Sequence, residues 1–338
     1  MNYSLINTTE NFVELAPAWN ALLAEGVANL PFLRHEYLLA WWDSLGGGEW
    51  DTGELAIIVA HRDDELIGIA PLFSTRHAGT QKLLFLGSVE ISDFLDFIVP
   101  EKDLAEFIHG LLDYLDAHDT LSWDALDLQN LIEGSASLTF LEEEAKSRGW
   151  GFEQETLQPA PYLKLPDNFD DYLMGIKKKQ RHEIRRKMRR AEADEREVTW
   201  YIVDDPEKLD KNIEACCQLM AQDPAKQAFL TGLMKSQMKA TIYAAFEAGW
   251  LQLAFLEVDG EKAAGYLNFD YGNRIWVYNS GMDMKFRDLS AGWVLLGHLL
   301  QWATENGRAE FDFMRGDERY KYKFGGVDRF VVRAVISK

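Results

Sequence analysis

"WLQLAFLEVDGEKAAGYLNFDYGNRIWVYNSGM", residues 250–282, decides the fold. Three apolar runs are separated by "VDGEK" and "DYGN", and Gly beside Asp or Asn is the local signal for a tight reversal between paired strands. The stretch therefore predicts strand, turn, strand, turn, strand. Nearer the N-terminus, "ELAIIVAHRDDELIGIAPLF" (Glu54 to Phe73) predicts a hairpin around "HRDDE" in the same way.

The segments after the two hairpins also correspond. In the first half come a strand-like "SDFLDFIV" (Ser92 to Val99), a helix-like "DLAEFIHGLLDYLDAH" (Asp103 to His118) and a strand "DALDLQNL" (Asp124 to Leu131). In the second half come a helix from about Ala291 to Asn306 and the strand "AEFDFM" (Ala309 to Met314). The order β, β, β, α, β occurs twice, which predicts two domains of one design, each a mixed sheet flanked by helices, in the α/β (mixed α+β) class. Three prolines in "LQPAPYLKLP" (Leu157 to Pro166) punctuate any helix or central strand there. The division is accordingly placed at 1–160 and 161–338. Further helices are expected before each hairpin, in "AWNALLAE" and "HEYLLAWWDSL", then in a basic helix over 174–196, "DKNIEACCQLMAQ" and "AFLTGLMKSQMKAT".

A chain of 338 residues with 47% hydrophobic residues and 11 Trp has material for two packed cores. No apolar run approaches the ~20 residues that span a bilayer, and "MNYSLINTTENF" lacks the basic and apolar regions of a signal peptide, so a cytoplasmic address is expected. The two cysteines, Cys216 and Cys217, are adjacent; they suit core thiols in a helix, and neither a disulfide nor a metal site is expected. The net charge is -20, yet "KKKQRHEIRRKMRR" (Lys177 to Arg190) holds nine Lys or Arg against one Glu. One basic island in an acidic chain argues against non-specific binding along a nucleic-acid duplex.

Three stretches carry residues suited to chemistry. "RDLSAG" (Arg287 to Gly292) opens the second-half helix with small residues at Ser290, Ala291 and Gly292, so an anionic phosphate can approach the unpaired N–H groups of the helix start. Ser290 is also placed to cap the helix through its hydroxyl, and a plain N-cap with no ligand is the competing reading. In "FDFMRGDERYKYKFGG", alternation puts Phe311 and Phe313 on one strand face and Asp312 and Met314 on the other; Arg315, Gly316, Asp317, Glu318, Tyr320 and Lys321 crowd the strand's end. Catalytic groups gather at such strand ends; alternatively, Arg315 pairs with Asp312 or Asp317 and closes the sheet. In the basic helix, Lys177, Arg181, Arg185 and Arg189 recur at i, i+4 while Ile176, Ile184 and Met188 form an apolar stripe, so one face docks and the other meets solvent or anions. His298 falls on the polar side of its helix and reads as a surface residue.

The order hairpin, strand, "R-x-x-S-x-G", helix, strand resembles the GCN5-related N-acetyltransferase superfamily, whose coenzyme A loop reads Arg/Gln-x-x-Gly-x-Gly/Ala. Arg287, Ser290 and Gly292 match, with Ser for the first Gly. "KKKQRHEIRRKMRRAE", "YNSGMD" and "FDFMRGDERYKYKFGG" resemble CelD/BcsL-type acetyltransferases, a FemAB-like branch built as tandem acetyltransferase domains. The likeness spans about 20–338 and is strongest after Pro166. It implies an acetyl-CoA or other acyl-CoA site at Tyr278, Asn279, Ser280, Arg287, Ser290, Ala291 and Gly292, with N–H groups near Asn279 and Ser280 as an oxyanion hole. It further implies Asp312 or Asp317 as base, Tyr320 as acid for the departing thiolate, Arg315 and Lys321 as anion-holding groups, and Arg181, Arg185 and Asp283 as acceptor contacts. The first half reads "VPEKDLAE" (Val99 to Glu106) where the loop should be, and its carboxylates would repel a pyrophosphate, so that half is expected to be a degenerate copy. The implied activity is transfer of an acetyl or longer acyl group to an amine on an amino sugar or peptide, with a small-molecule or cell-envelope precursor as acceptor. Two other readings stand: a FemAB-like transfer from aminoacyl-tRNA, and a non-catalytic scaffold that binds a polyanion or protein partner.

Overall fold

The computed structural model describes residues 1–118 and 121–338. The chain forms two compact units, Met1–Gln158 with Phe330–Lys338, and Pro159–Arg329. Both are mixed α/β, and each contains a six-stranded sheet.

The first unit holds strands β1 (Asn2–Ile6), β2 (Glu54–Leu55), β3 (Ile57–Arg62), β4 (Glu65–Ala70), β5 (Leu72–His77), β6 (Thr80–Phe85), β7 (Ala125–Ile132) and β8 (Gly151–Pro159). The second holds β9 (Tyr162–Lys164), β10 (Val198–Ile202), β11 (Leu251–Val258), β12 (Glu261–Tyr271), β13 (Arg274–Met282) and β14 (Glu310–Asp312). The strand β15 (Phe330–Ser337) then returns to the first unit and lies between β7 and β8. The division at 160/161 therefore misassigns residues 330–338, whose alternating apolar residues fit either sheet when read in isolation.

The hairpin β3–β4 forms as expected, but it joins β1 in a separate three-stranded sheet. Ser92 to Val99 is not a strand; only Ile98 makes an isolated bridge, to Ile69. The cause lies in Asp96, which is buried within this apolar run and accepts hydrogen bonds from the Phe97 N–H (2.8 Å), Ser135 (2.7 Å) and Ser137 (2.6 Å). A buried carboxylate must be satisfied locally, and here that satisfaction bends the chain out of a ladder. The strand that crosses over through the helix Leu104–Ala117 to a parallel partner is instead β6, paired with β7.

In the second unit the meander β11–β12–β13 is antiparallel throughout. Its turns place Asp259 (φ 52°) with Gly260 (φ 77°), and Gly272 (φ 62°) with Asn273 (φ 59°). Two successive left-handed residues are the type I′ geometry that matches strand twist, which is why Asp, Asn and Gly occupy these positions. The crossover helix Ala291–Glu305 then leads to β14, which runs parallel to β13. Both faces of the sheet are covered. One buries Ala254, Leu256, Ile275 and Val277 against the crossover helix and the Ile184 and Met188 stripe of the basic helix Lys178–Glu192. The other buries Leu253, Phe255 and Leu267 against helices Leu209–Met220 and Gly232–Glu247, with Cys216 and Cys217 among the buried residues. Strands so enclosed read as near-continuous apolar runs. The crossover and basic helices approach closely at Gly297, where a Cβ would lie 2.9 Å from Met188 Sδ.

No helix among the described residues is long and apolar enough to cross a membrane.

Candidate active site

Strand β13 pairs with β14 only over Arg274–Trp276. Beyond that point β14 ends while β13 runs on to Met282, still paired with β12 on its other side. A bulge at Tyr278, between the pairs Leu267 with Asn279 and Asn268 with Val277, swings the strand away from its former neighbour. A cavity of about 510 Å³ opens at this divergence, and Ser280, Gly281 and Met282 form part of its wall. Gly281 is indispensable there: a Cβ would meet the backbone of Leu219 and Met220 at 2.3 Å, so the end of helix Leu209–Met220 lies directly against the strand.

The second wall is the start of the crossover helix, through Arg287, Ser290, Gly292 and Trp293. Ser290 occupies the left-handed region (φ 56°, ψ 46°), the conformation a glycine takes without penalty. Its side chain makes no cap bond, contrary to the sequence expectation. Its carbonyl instead accepts from Trp293 (2.9 Å) and Val294 (3.1 Å), and among the described residues the N–H groups of Ala291 and Gly292 have no acceptor. Leu289 turns into the core and does not obstruct the opening. Asp288, the one carboxylate of the loop, is drawn aside by Arg196 at 2.8 Å, and Arg196 is itself fixed by Asp194 at 2.7 Å. That leaves Arg287 as the charged side chain of the loop on the cavity.

Two more cations complete the site. Lys187, from the basic helix, lies 4.0 Å from the centre of the Trp293 ring. Lys226, on the short helix Pro224–Phe229, donates to Asn279 Oδ1 (2.9 Å) and to the Ser280 carbonyl (2.5 Å). Burial lowers the Lys226 pKa, opposed by the nearby charges of Asp223 and Glu318. Asp223 is the carboxylate of the wall, and it caps the short helix by accepting from the N–H groups of Ala225 and Lys226. Tyr266 and Tyr320 line the interior. Burial raises the pKa of both phenols, with the Tyr266 and Glu318 charges adding to the effect at Tyr320. The hydroxyl of Tyr266 shares a hydrogen bond with Ser280.

The sequence candidates are thus partly brought together. Arg287, Ser290, Gly292, Ser280 and Tyr320 share one cavity; Ala291 contributes its N–H beside it. Tyr278 points to the opposite face, stacked on Phe269 at 5.1 Å. Asn279 acts behind the wall, where its Oδ1 accepts from the Ser280 N–H at 2.9 Å, so that amide is spent and is not an open oxyanion donor. Asp312 is fully buried, accepts from the Met314 N–H at 2.8 Å and pairs with Arg329, not with Arg315. Burial pushes its pKa up to about 6 against the pull of Arg329, but it has no access to the cavity and does not suit the role of base. Lys321, 2% exposed, donates to the carbonyls of Met314 (3.0 Å), Arg315 (2.6 Å) and Gly316 (3.2 Å), which makes it the clasp of the turn rather than an anion holder. Asp317 is exposed at that turn, and neither it nor Arg315 lines the cavity. Arg181 contacts Met174 Sδ, and Arg185 pairs with Asp170 at 2.7 Å; neither lines the cavity that Lys187 enters. Asp283 caps the next turn by accepting from the Lys285 N–H. His298 stacks on Trp200 at 5.4 Å, half-buried, and burial lowers its pKa, so it is not the surface residue expected.

In the first half, Asp103 and Glu106 both pair with Arg62, at 3.0 and 2.7 Å, which offsets part of the negative charge at that helix start. Pro100 and the 3₁₀ turn Glu101–Asp103 lead directly into it, in place of a loop of small residues.

Sequence reasoning missed Lys226 and Lys187. The signal for the first was "DPAK", an Asp cap followed by Pro at the first helical position, which announces a short helix between the two expected from "DKNIEACCQLMAQ" and "AFLTGLMKSQMKAT". For the second it was adjacency to the Ile184 and Met188 stripe, since a residue next to the docked face meets whatever that face docks on.

Residues 178–322, within the second unit, match the family described as "Acetyltransferase (GNAT) domain". No curated protein matches the chain. Among solved structures, FemX is 14% identical with a TM-score of 0.69, covering 99% of this chain and 97% of its own. A conserved protein of unknown function from Bacteroides thetaiotaomicron is 12% identical with a TM-score of 0.63, covering 100% of both chains. L-PGS from Bacillus licheniformis is 14% identical with a TM-score of 0.57, covering 97% of this chain and 91% of that one. At such identities the likeness is one of fold.

Proposed function

We propose that the second unit is an acyl-CoA-dependent N-acyltransferase that moves an acetyl or longer acyl group to an amine, on an amino sugar or peptide of a small molecule or cell-envelope precursor, in the cytoplasm. The observation that carries this reading is the meeting of two features in one cavity: a helix start with two unpaired N–H groups beside Arg287, and the diverging end of β13. The first suits a pyrophosphate, by dipole and hydrogen bond together. The second suits an extended arm laid along the strand. Lys187, Lys226 and Arg287 against one carboxylate favour an anionic donor in a chain of net charge -20. When bound, acyl-CoA supplies an activated carbonyl and a thiolate leaving group. Tyr320, protonated at neutral pH because burial disfavours its phenolate, is the acid for that thiolate. Asp312 is sealed away, so deprotonation of the acceptor runs through water, and Asp317 is a carboxylate of the cluster that water reaches. Titration calorimetry with acetyl-CoA and longer acyl-CoAs tests the proposal. Binding is expected, and failure of the whole series to bind refutes it.

A second reading keeps the fold and changes the donor to aminoacyl-tRNA, the donor of FemAB-like transferases. The FemX-like fold over 99% of the chain and the reach of the basic helix into the cavity wall through Lys187 favour it. It requires tRNA binding that weakens steeply with salt and is lost on charge reversal at Arg181 and Arg185; absence of binding at low salt discards it. A purely scaffolding role is the weaker third reading, because Ser290 and Leu289 leave the loop open.

A further inference from the structure

The diverging end of β13 lacks the donor that the sequence placed there, because the Ser280 N–H is held by Asn279 Oδ1. A charged donor stands at the same place. Lys226 Nζ is bonded to Asn279 Oδ1 and to the Ser280 carbonyl, and the Lys226 side chain forms part of the cavity wall. An ammonium has three N–H groups and these two acceptors use two, leaving one for the cavity. The side chain is held from both ends: Asp223 caps the turn that carries it, and the two β13 acceptors fix its tip. A preorganised donor in a partly dehydrated site is the arrangement that stabilises charge as it develops.

We infer that Lys226 donates a hydrogen bond to the reacting carbonyl oxygen of the acyl donor, in the place a backbone amide of β13 would otherwise hold. The inference rests on the acyl-CoA reading above. As the acceptor nitrogen bonds to the carbonyl carbon, the C=O electron pair moves onto oxygen, and Lys226 holds that charge without giving up its proton. The C=O bond then re-forms as the C–S bond breaks, and the departing thiolate takes up the equivalent of the proton lost by the amine. Burial lowers the Lys226 pKa, and the charges of Asp223 and Glu318 oppose that shift in favour of the ammonium.

The test uses the full chain and acetyl-CoA labelled with ¹³C at the carbonyl, read by isotope-edited infrared difference spectroscopy, with calorimetry on the same samples. In the wild type the bound carbonyl band is expected below its frequency in water. In Lys226→Met, which also removes one of the cations of the cavity, donor binding weakens by about tenfold or less, and at saturating donor the band returns to the free value while acetyl transfer falls by on the order of 10²-fold. Lys226→Arg, which retains donors, restores part of the downshift. A bound donor whose carbonyl is unshifted in the wild type overturns the inference without any variant, as does an identical shift in wild type and Lys226→Met. Wild-type protein that binds no acetyl-CoA overturns the donor reading, and this inference with it.

Discussion

Replacing Ser290 tests the loop most directly, because its backbone and its hydroxyl make opposite predictions. The residue sits at φ 56°, ψ 46°, where a side chain costs about 1–2 kcal/mol relative to the right-handed region. Glycine relieves that strain but adds back about 0.5–1 kcal/mol of backbone entropy on folding. Ser290→Gly is therefore expected to stabilise the second unit by about 0.5–1 kcal/mol. Ser290→Ala should be neutral within about 0.5 kcal/mol, because the hydroxyl caps nothing; a true N-cap would cost about 1 kcal/mol on the same change. Ser290→Val, branched at Cβ, should lose a further 1–2 kcal/mol or so, since such side chains tolerate the left-handed region least. Urea unfolding followed by tryptophan fluorescence orders the four proteins as Gly, then Ser with Ala, then Val. An alanine variant weaker than wild type by about 1 kcal/mol or more, or a destabilised glycine variant, refutes the assignment of the serine to a glycine's conformational role.

Other outcomes rest on single named contacts. Gly281→Ala forces a Cβ into backbone atoms at 2.3 Å and should cost about 3 kcal/mol or more. Gly297→Ala meets only the flexible Met188 side chain and should cost about 1 kcal/mol by the same unfolding assay. Asp312 has its folded pKa raised to about 6, so its contribution to stability is fully present below the unfolded value near 3.8 and is lost as pH rises through about 6. The stability difference between wild type and Asp312→Asn should accordingly change most between about pH 4 and 6 and level off above it, as read by chemical denaturation across that range. Arg287→Gln removes the loop's cation from the cavity and should weaken acyl-CoA binding about tenfold, with a shallower salt dependence, measured by calorimetry.

The second-unit sheet was legible because its turns are chemically explicit: Asp259-Gly260 and Gly272-Asn273 admit few conformations other than the reversals they make. The loop at Arg287 to Gly292 was legible for a similar reason, since small residues before an apolar helix have few uses. Position along a strand was a poorer guide to chemistry. Asp312 and Lys321 are the type of residue that catalysis employs, but sequence does not reveal that Arg329 and three carbonyls already claim them. Nor does it reveal that an aspartate at 96 is satisfied by two serines some forty positions away, which turned a strand-like run into a loop. Lys226 was hidden because its role depends on Asn279 and Ser280, contacts made across 53 and 54 positions of chain.

The return of β15 to the first sheet has a consequence for how the protein is made. Until Phe330–Ser337 emerges from the ribosome, β8 has no neighbour and β7 has an open edge, so the first-synthesised unit is the one that finishes late. The second unit, contiguous from Pro159 to Arg329, has every strand of its own sheet before then. Expression of residues 1–158 alone would expose those two edges to pairing with other chains, which makes aggregation the expected fate of that fragment. Supplying Phe330–Ser337 as a tethered segment after Pro159 would be the direct remedy.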